Sequence, residues 1–271
     1  MSQLSISANL QVMGVVNATP DSFSDGGKFD TLDKALAQAR RLIGEGAGIL
    51  DIGGESSRPG ARVVPLAEEL ERTIPLITAL REETDMPLCI DTGKPEVMRA
   101  AVEAGASMIN SIWALRQPGE LRTAAELGVP VCLMHMQGTP ETMQQNPVYD
   151  DVVGEVREFL ARRIDAAVAA GIEPGNIIVD PGFGFGKTID HNLSLLKNLS
   201  ALRDLGVPLL VGLSRKKMIG TILDKPVDER LYGSLSLAVI AAMLGADIVR
   251  VHDVGATVDA LAMVGALGRA A

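Results

Sequence analysis

The apolar positions of the chain fall into short runs separated by longer amphipathic stretches. Eight runs stand out: LQVMGVV (10–16), GILDI (48–52), PLCIDT (87–92), SMINSI (107–112), PVCLMH (130–135), NIIVDP (176–181), PLLVGLS (208–214) and DIVRVHD (247–253). Short runs rich in Val, Ile and Leu predict parallel strands buried on both faces. Between them, patterns such as TLDKALAQARRLIGEG and PEVMRAAVEAG predict helices, the first starting near Thr31. Gly46-Ala47, Gly105-Ala106 and Gly245-Ala246 each precede a strand, as left-handed helix caps do. Eight strand–helix units in about 250 residues predict an α/β fold, a single (β/α)8 TIM barrel over 1–271. A doubly wound open sheet lacks its glycine fingerprint after the first run. GFGFGKT (182–188) is one residue short of a P-loop and follows the sixth strand.

Polar residues gather where these strands end: Asn17, Asp51 with GGESSRPG, Asp91-Thr92, Asn110-Ser111, His135, Asp180, Ser214-Arg215-Lys216, and Arg250, His252 and Asp253. The helix-to-strand turns are plain by comparison. In barrels the active site lies at the C-terminal ends of the strands, so the asymmetry places a site there.

Asp91, Asn110 and Asp180 would converge in such a mouth and suit a flat, donor-rich heterocycle, since a carboxylate accepts two parallel bonds from an amidine-like edge. The competing reading is that they cap the following helices. Arg58, Arg62, Lys187, Arg215, Lys216 and Arg250 lie in or beside the same loops and together favour a phosphate or diphosphate. The competing reading there is a salt-bridged rim. Arg250 and His252 alternate with Val249 and Val251 and should face the mouth together. His135 reads as a satisfied supporting histidine. With three histidines and no HExxH, catalytic zinc is not expected. Magnesium needs only one or two protein oxygens beside water and substrate phosphates, which Asn17 and its neighbours could supply.

The formal net charge of −9 argues against nucleic acid. No run is long enough to span a membrane, and the N-terminus has no signal-peptide pattern. Cys89 and Cys132 sit in apolar runs and read as reduced thiols, so a cytoplasmic protein is expected.

Taken in order, MGVVNATPDSFSDGG, DIGGESSRPGA, IDTGKPEVM, INSI, LMHMQGTPETMQ, DPGFGFGK, GLSRKKMIG and RVHDV resemble the dihydropteroate synthase family across the whole chain. The resemblance implies condensation of 6-hydroxymethyl-7,8-dihydropterin diphosphate with 4-aminobenzoate, giving 7,8-dihydropteroate and diphosphate by a dissociative displacement. Asp91, Asn110 and Asp180 would then hold the pterin between Met134 and Ile112, with Lys216 on its carbonyl and ring nitrogen. Arg250 would lie on the ring face and, with His252, Asn17 and Mg2+, hold the diphosphate. Loops 14–27 and 53–62 would act as lids, Arg58 reaching the diphosphate and Pro59 the second substrate. Ser57, Phe185 and Ser214 would line the 4-aminobenzoate slot, where sulfonamides would compete.

The family usually reads ESTRPGA where this chain has Ser57, and a valine where it has Ala18. Rival readings are a pterin-binding methyltransferase domain, which needs neither the SRK run nor the lids, and a non-catalytic pterin-binding paralogue. The segments 229–246 and 255–268 are apolar on more than one face and predict a homodimer through this end.

Overall fold

The structure is a computed structural model describing residues 6–7, 9–18, 28–56 and 62–269. Eight parallel strands, β1 (Gln11–Asn17), β2 (Ile49–Gly53), β3 (Leu88–Asp91), β4 (Met108–Ser111), β5 (Val131–Met134), β6 (Ile177–Asp180), β7 (Leu210–Val211) and β8 (Ile248–Val251), alternate with helices. The helices are α1 (Lys28–Gly44), α2 (Leu66–Glu83), α3 (Pro95–Glu103), α4 (Glu120–Leu127), α5 (Val152–Ala169), α6 (Ile189–Lys197), α7 (Lys217–Leu223), α8 (Leu231–Met243) and α9 (Val254–Arg269). The sheet order is β6-β5-β4-β3-β2-β1-β8-β7, and a single bridge between Val179 and Leu209 joins its ends. This is the (β/α)8 barrel that the strand–helix alternation predicts.

Alternation within the strands builds two cores. Outward residues such as Val12, Val16, Leu50, Ile52, Ile90, Val131, Val179 and Val249 pack under the helices. Inward, each strand gives one residue to a buried plug: Met13, Ile49, Cys89, Met108, Cys132, Ile178, Leu210 and Ile248. The predicted run 208–214 shortens to two strand residues. Pro208 offers only its carbonyl, which accepts from Val179 N–H at 3.0 Å, and the chain leaves the sheet at Gly212. The first helix starts at Lys28, three residues before the expected position. Among the described residues no helix is long and apolar enough to cross a membrane.

Candidate active site

Two positions beyond the plug, the same alternation turns the next residue of each strand into the barrel. These residues are Val15, Asp51, Asp91, Asn110, Met134, Asp180, Gly212 and Arg250. The mouth is thus a polar layer standing directly on an apolar one. Arg250 spans it: its Nε donates to Asp51 at 2.5 Å and an Nη donates to Asp91 at 3.2 Å. Asn110 Nδ2 lies 3.4 Å from the same Asp51 oxygen. Gly212 leaves room beside Arg250: a Cβ at 212 would lie 3.9 Å from the Arg250 Cβ, an ordinary contact.

One guanidinium thus serves two carboxylates, Asp51 fully buried and Asp91 at the mouth, and the electrostatics follow. Burial, and next the charge of Asp51, push Asp91 up to about 7, with Arg250 opposing. Burial works against the charge of Arg250, but Asp51 and Asp91 outweigh it and its pKa rises. Asp180 is raised by burial, against a 2.7 Å bond from Gly182 N–H and the nearby Lys216 charge. Asp51 is fully buried, and its Oδ1 has no hydrogen-bond partner among the described residues. Such an acceptor costs free energy until a donor reaches it.

An apolar wall adjoins this layer. Met134, Met136, Met143 and Phe185 form a buried cluster with Ile112 and Trp113 packed against it. The Lys216 ammonium stands 4.3 Å from the centre of the Phe185 ring, a cation–π contact. A hollow of about 400 Å³ opens beside Asp91, lined by Lys94, Ile112, Trp113 and Glu141 among others. At its floor Lys94 bonds both Glu55 and the fully buried Glu69, which also accepts from Thr92 Oγ1 at 2.6 Å.

Asp91, Asn110, Asp180, Met134, Ile112, Phe185, Lys216 and Arg250 therefore gather at one mouth. Asn17 ends β1, half-buried and paired in register with Gly53. Its carboxamide oxygen is a hard donor of the kind Mg2+ takes. Among the described residues no three His, Cys, Asp or Glu side chains gather to hold a metal, and the neighbouring Asp21 and Asp25 lie outside the described residues. Ser214 and His252 meet each other, Oγ to Nδ1 at 3.0 Å. Burial, with Arg250 and Arg215 nearby, lowers His252 to about 4, so its ring is neutral at pH 7. Ser57, Arg58 and Pro59 lie outside the described residues.

The cation set divides. Arg62 pairs with Glu68 on the surface, and Arg215 forms a two-pronged pair with Asp253 at 2.5 and 3.0 Å. For these two the rim reading is the right one. Lys187 is buried within its own loop rather than facing a ligand. The capping reading fails for Asp91, because Lys94 N–H takes Thr92 Oγ1 and the helix N-cap is Lys94. Asp180 does serve its local turn through Gly182. Sequence reasoning placed Asp51 at a strand end but left it out of the site, although Ile49-x-Asp51 repeats the Cys89-x-Asp91 alternation.

The profile of the pterin binding enzyme family matches residues 13–252. Dihydropteroate synthase of Haemophilus influenzae is 53% identical over 251 residues, 93% of this chain and 91% of that protein. The solved Xanthomonas albilineans dihydropteroate synthase with 4-aminobenzoic acid superposes with a TM-score of 0.92 at 54% identity, covering 97% of this chain and 94% of that one. A Yersinia pestis dihydropteroate synthase with a sulfonamide drug complex gives 0.92 at 50% identity, covering 98% and 96%.

Proposed function

The chain belongs to the dihydropteroate synthases of the pterin-binding enzyme family, and we propose that its barrel mouth carries out their transfer. In that reaction, 6-hydroxymethyl-7,8-dihydropterin diphosphate and 4-aminobenzoate give 7,8-dihydropteroate and diphosphate. The observation that carries this reading is the polar layer itself: half-buried Asp91 and buried Asn110 and Asp180 with Arg250 and Lys216, beside a wall of Met134, Ile112 and Phe185. Carboxylates and a carboxamide match the amidine-like edge of a pterin, and the methionines offer its faces polarisable contact.

The bond from the pterin methylene to the diphosphate oxygen breaks, with its electron pair leaving on diphosphate. The arylamine nitrogen then forms the new C–N bond and loses a proton. A neutral aniline is already nucleophilic, so the protein's work is positioning and stabilising the leaving charge. Arg250 and His252 bind the diphosphate, the latter as a neutral donor, and Arg58 reaches it from the second loop. Asn17 would hold Mg2+, which supplies positive charge against the diphosphate when bound. Lys216 donates to the pterin carbonyl and ring nitrogen. Ser57, Pro59, Phe185 and Ser214 enclose 4-aminobenzoate, and sulfonamides compete in the same slot.

The protein works as a cytoplasmic homodimer. The buried free thiols Cys89 and Cys132 suit a reducing compartment. Tyr232, 77% exposed, lies with Ile222, Leu223, Ile240 and Met243 on the surface of α7 and α8, and Met263 and Leu267 lie exposed on α9. Exposed apolar side chains on three helices packed in sequence suit cover by a second copy. The decisive assay follows diphosphate release from the pterin substrate. Release that depends on 4-aminobenzoate supports the reading, and release without dihydropteroate formation refutes it.

A further inference from the structure

The loop from β6 to α6, residues 181–188, is held in one conformation by side chains that touch its backbone carbonyls one after another. Gln144 Nε2 donates to the Gly184 carbonyl at 2.7 Å, and the Tyr149 hydroxyl donates to that of Gly186 at 2.7 Å. Asn192 Oδ1 accepts from Gly184 N–H at 2.7 Å, and its Nδ2 donates back to Thr188. At the centre lies Lys187, 3% exposed. Its ammonium makes three contacts, to His135 Nδ1 at 2.8 Å, the Gly182 carbonyl at 2.9 Å and the Phe185 carbonyl at 3.1 Å. An ammonium has three N–H donors and no acceptor, so its capacity is filled. While Lys187 is protonated, the same count sets His135 as the acceptor at Nδ1, with its ring proton on Nε2, consistent with a ring that burial and the Lys187 charge keep neutral.

We propose that Lys187 is a positioning residue for the second substrate: it staples the loop that carries Phe185 to the end of β5, and so fixes the ring that walls the 4-aminobenzoate slot. This rests on the reading of Phe185 as that wall. Lys187 is too buried to touch a ligand, and the carbonyl it holds belongs to Phe185 itself. The Phe185 ring in turn lies against the Lys216 ammonium, so its placement is read on both sides. Glycines at 182, 184 and 186, all with positive φ, let the loop run this close to residues 135–137, and a side chain at 182 would collide with the His135 carbonyl. A loop with so little room of its own depends on its staple for the last ångström of placement.

The test is steady-state kinetics on Lys187→Met, Phe185→Ala and the double variant. For folded Lys187→Met the KM for 4-aminobenzoate should rise about ten-fold, with kcat and the KM for the pterin substrate within about three-fold of wild type. In the Phe185→Ala background the same change should add little, because the effect runs through that ring. If Lys187→Met does not fold, Tyr149→Phe keeps its volume while releasing the Gly186 carbonyl, and it should raise the same KM by about three-fold, again only when Phe185 is present. An unchanged 4-aminobenzoate KM in folded Lys187→Met, or in Tyr149→Phe where Lys187→Met fails to fold, overturns the proposal. So does a full effect in the Phe185→Ala background, or an equal loss for both substrates. If Phe185→Ala alone leaves that KM unchanged, the slot assignment fails and the proposal with it.

Discussion

Asp91 should make pterin binding depend on pH in the neutral range. It shares Arg250 with Asp51, so two carboxylates face one cation, and Glu55 and Glu69 add negative charge nearby, with Lys94 bonded to both. Burial and Asp51 together bring Asp91 to about 7, so near neutrality it is half protonated. Only the carboxylate accepts from the ring's N–H groups through both oxygens and with charge assistance, and the apparent affinity scales with the fraction in that form. With a pKa of about 7, Kd should rise about ten-fold between pH 8 and pH 6 and change little above pH 8. Calorimetry with a pterin analogue that does not itself titrate in this window measures it. Lys187, lowered to about 7 by burial, and Asp180, raised by burial, lie close enough to contribute, so variants must separate them. Asp91→Asn should bind weakly and without the slope. Asp51→Asn should move the slope to lower pH, since it removes the largest repulsive charge. A Kd that is flat from pH 6 to 8 in the wild type, or a slope that survives in Asp91→Asn, refutes the reasoning.

Lys216→Met should lose most turnover of the pterin substrate while its thermal midpoint stays near that of wild type, because the ammonium lies at the mouth over Phe185 rather than in the core. Wild-type activity in the folded variant would remove this lysine from the site. The segments that follow β1 and β2, as far as residues 27 and 62, carry Gly26, Gly27, Gly54 and Gly60 and, apart from Phe23, no large apolar side chain, so closing them over a ligand would cost backbone entropy. 4-Aminobenzoate should therefore bind weakly to the protein alone and clearly with diphosphate and Mg2+, and equal affinity in the two titrations would mean a preformed slot. Gly182→Ala should destabilise by more than about 2 kcal/mol, combining a left-handed φ of 69° with a collision at the His135 carbonyl. Gly175→Ala, which meets open space, is the near-neutral control in chemical denaturation.

Much of the molecule is legible in its sequence because a barrel strand repeats every two residues. Cys89-Ile90-Asp91 and Ile178-Val179-Asp180 each state a plug residue, a helix-facing residue and a site residue in order. Arg250 follows Ile248 in the same way. Side-chain chemistry alone could not tell which cations are committed elsewhere: Arg215 has the composition of a phosphate ligand, but Asp253 thirty-eight residues later claims it. Lys187 was hidden more deeply. Two of its three partners are backbone carbonyls, and a carbonyl leaves no mark in the order of residue types. Strand length at β7 is overestimated from the sequence because PLLVGLS has the hydrophobicity of a strand, while Pro208 lacks the backbone donor a longer ladder would use and Gly212 has no side chain to pack.

The closure of the barrel has a mechanical consequence. Around the hoop, neighbouring strands are laced by ladders, except where β6 and β7 are pinned at Val179 and Leu209 alone. Phe185 hangs from the loop on one side of that pin, Ser214 and Lys216 from the other. A hoop under load opens first at its weakest joint, so a bulkier arylamine can spread these jaws at the expense of a single backbone pairing. A bulkier pterin has no such recourse, because Asp91, Asn110 and Asp180 stand on strands joined without a break from β3 to β6. Tolerance toward bulkier amines and strictness toward the ring are therefore the expected pattern of substrate acceptance.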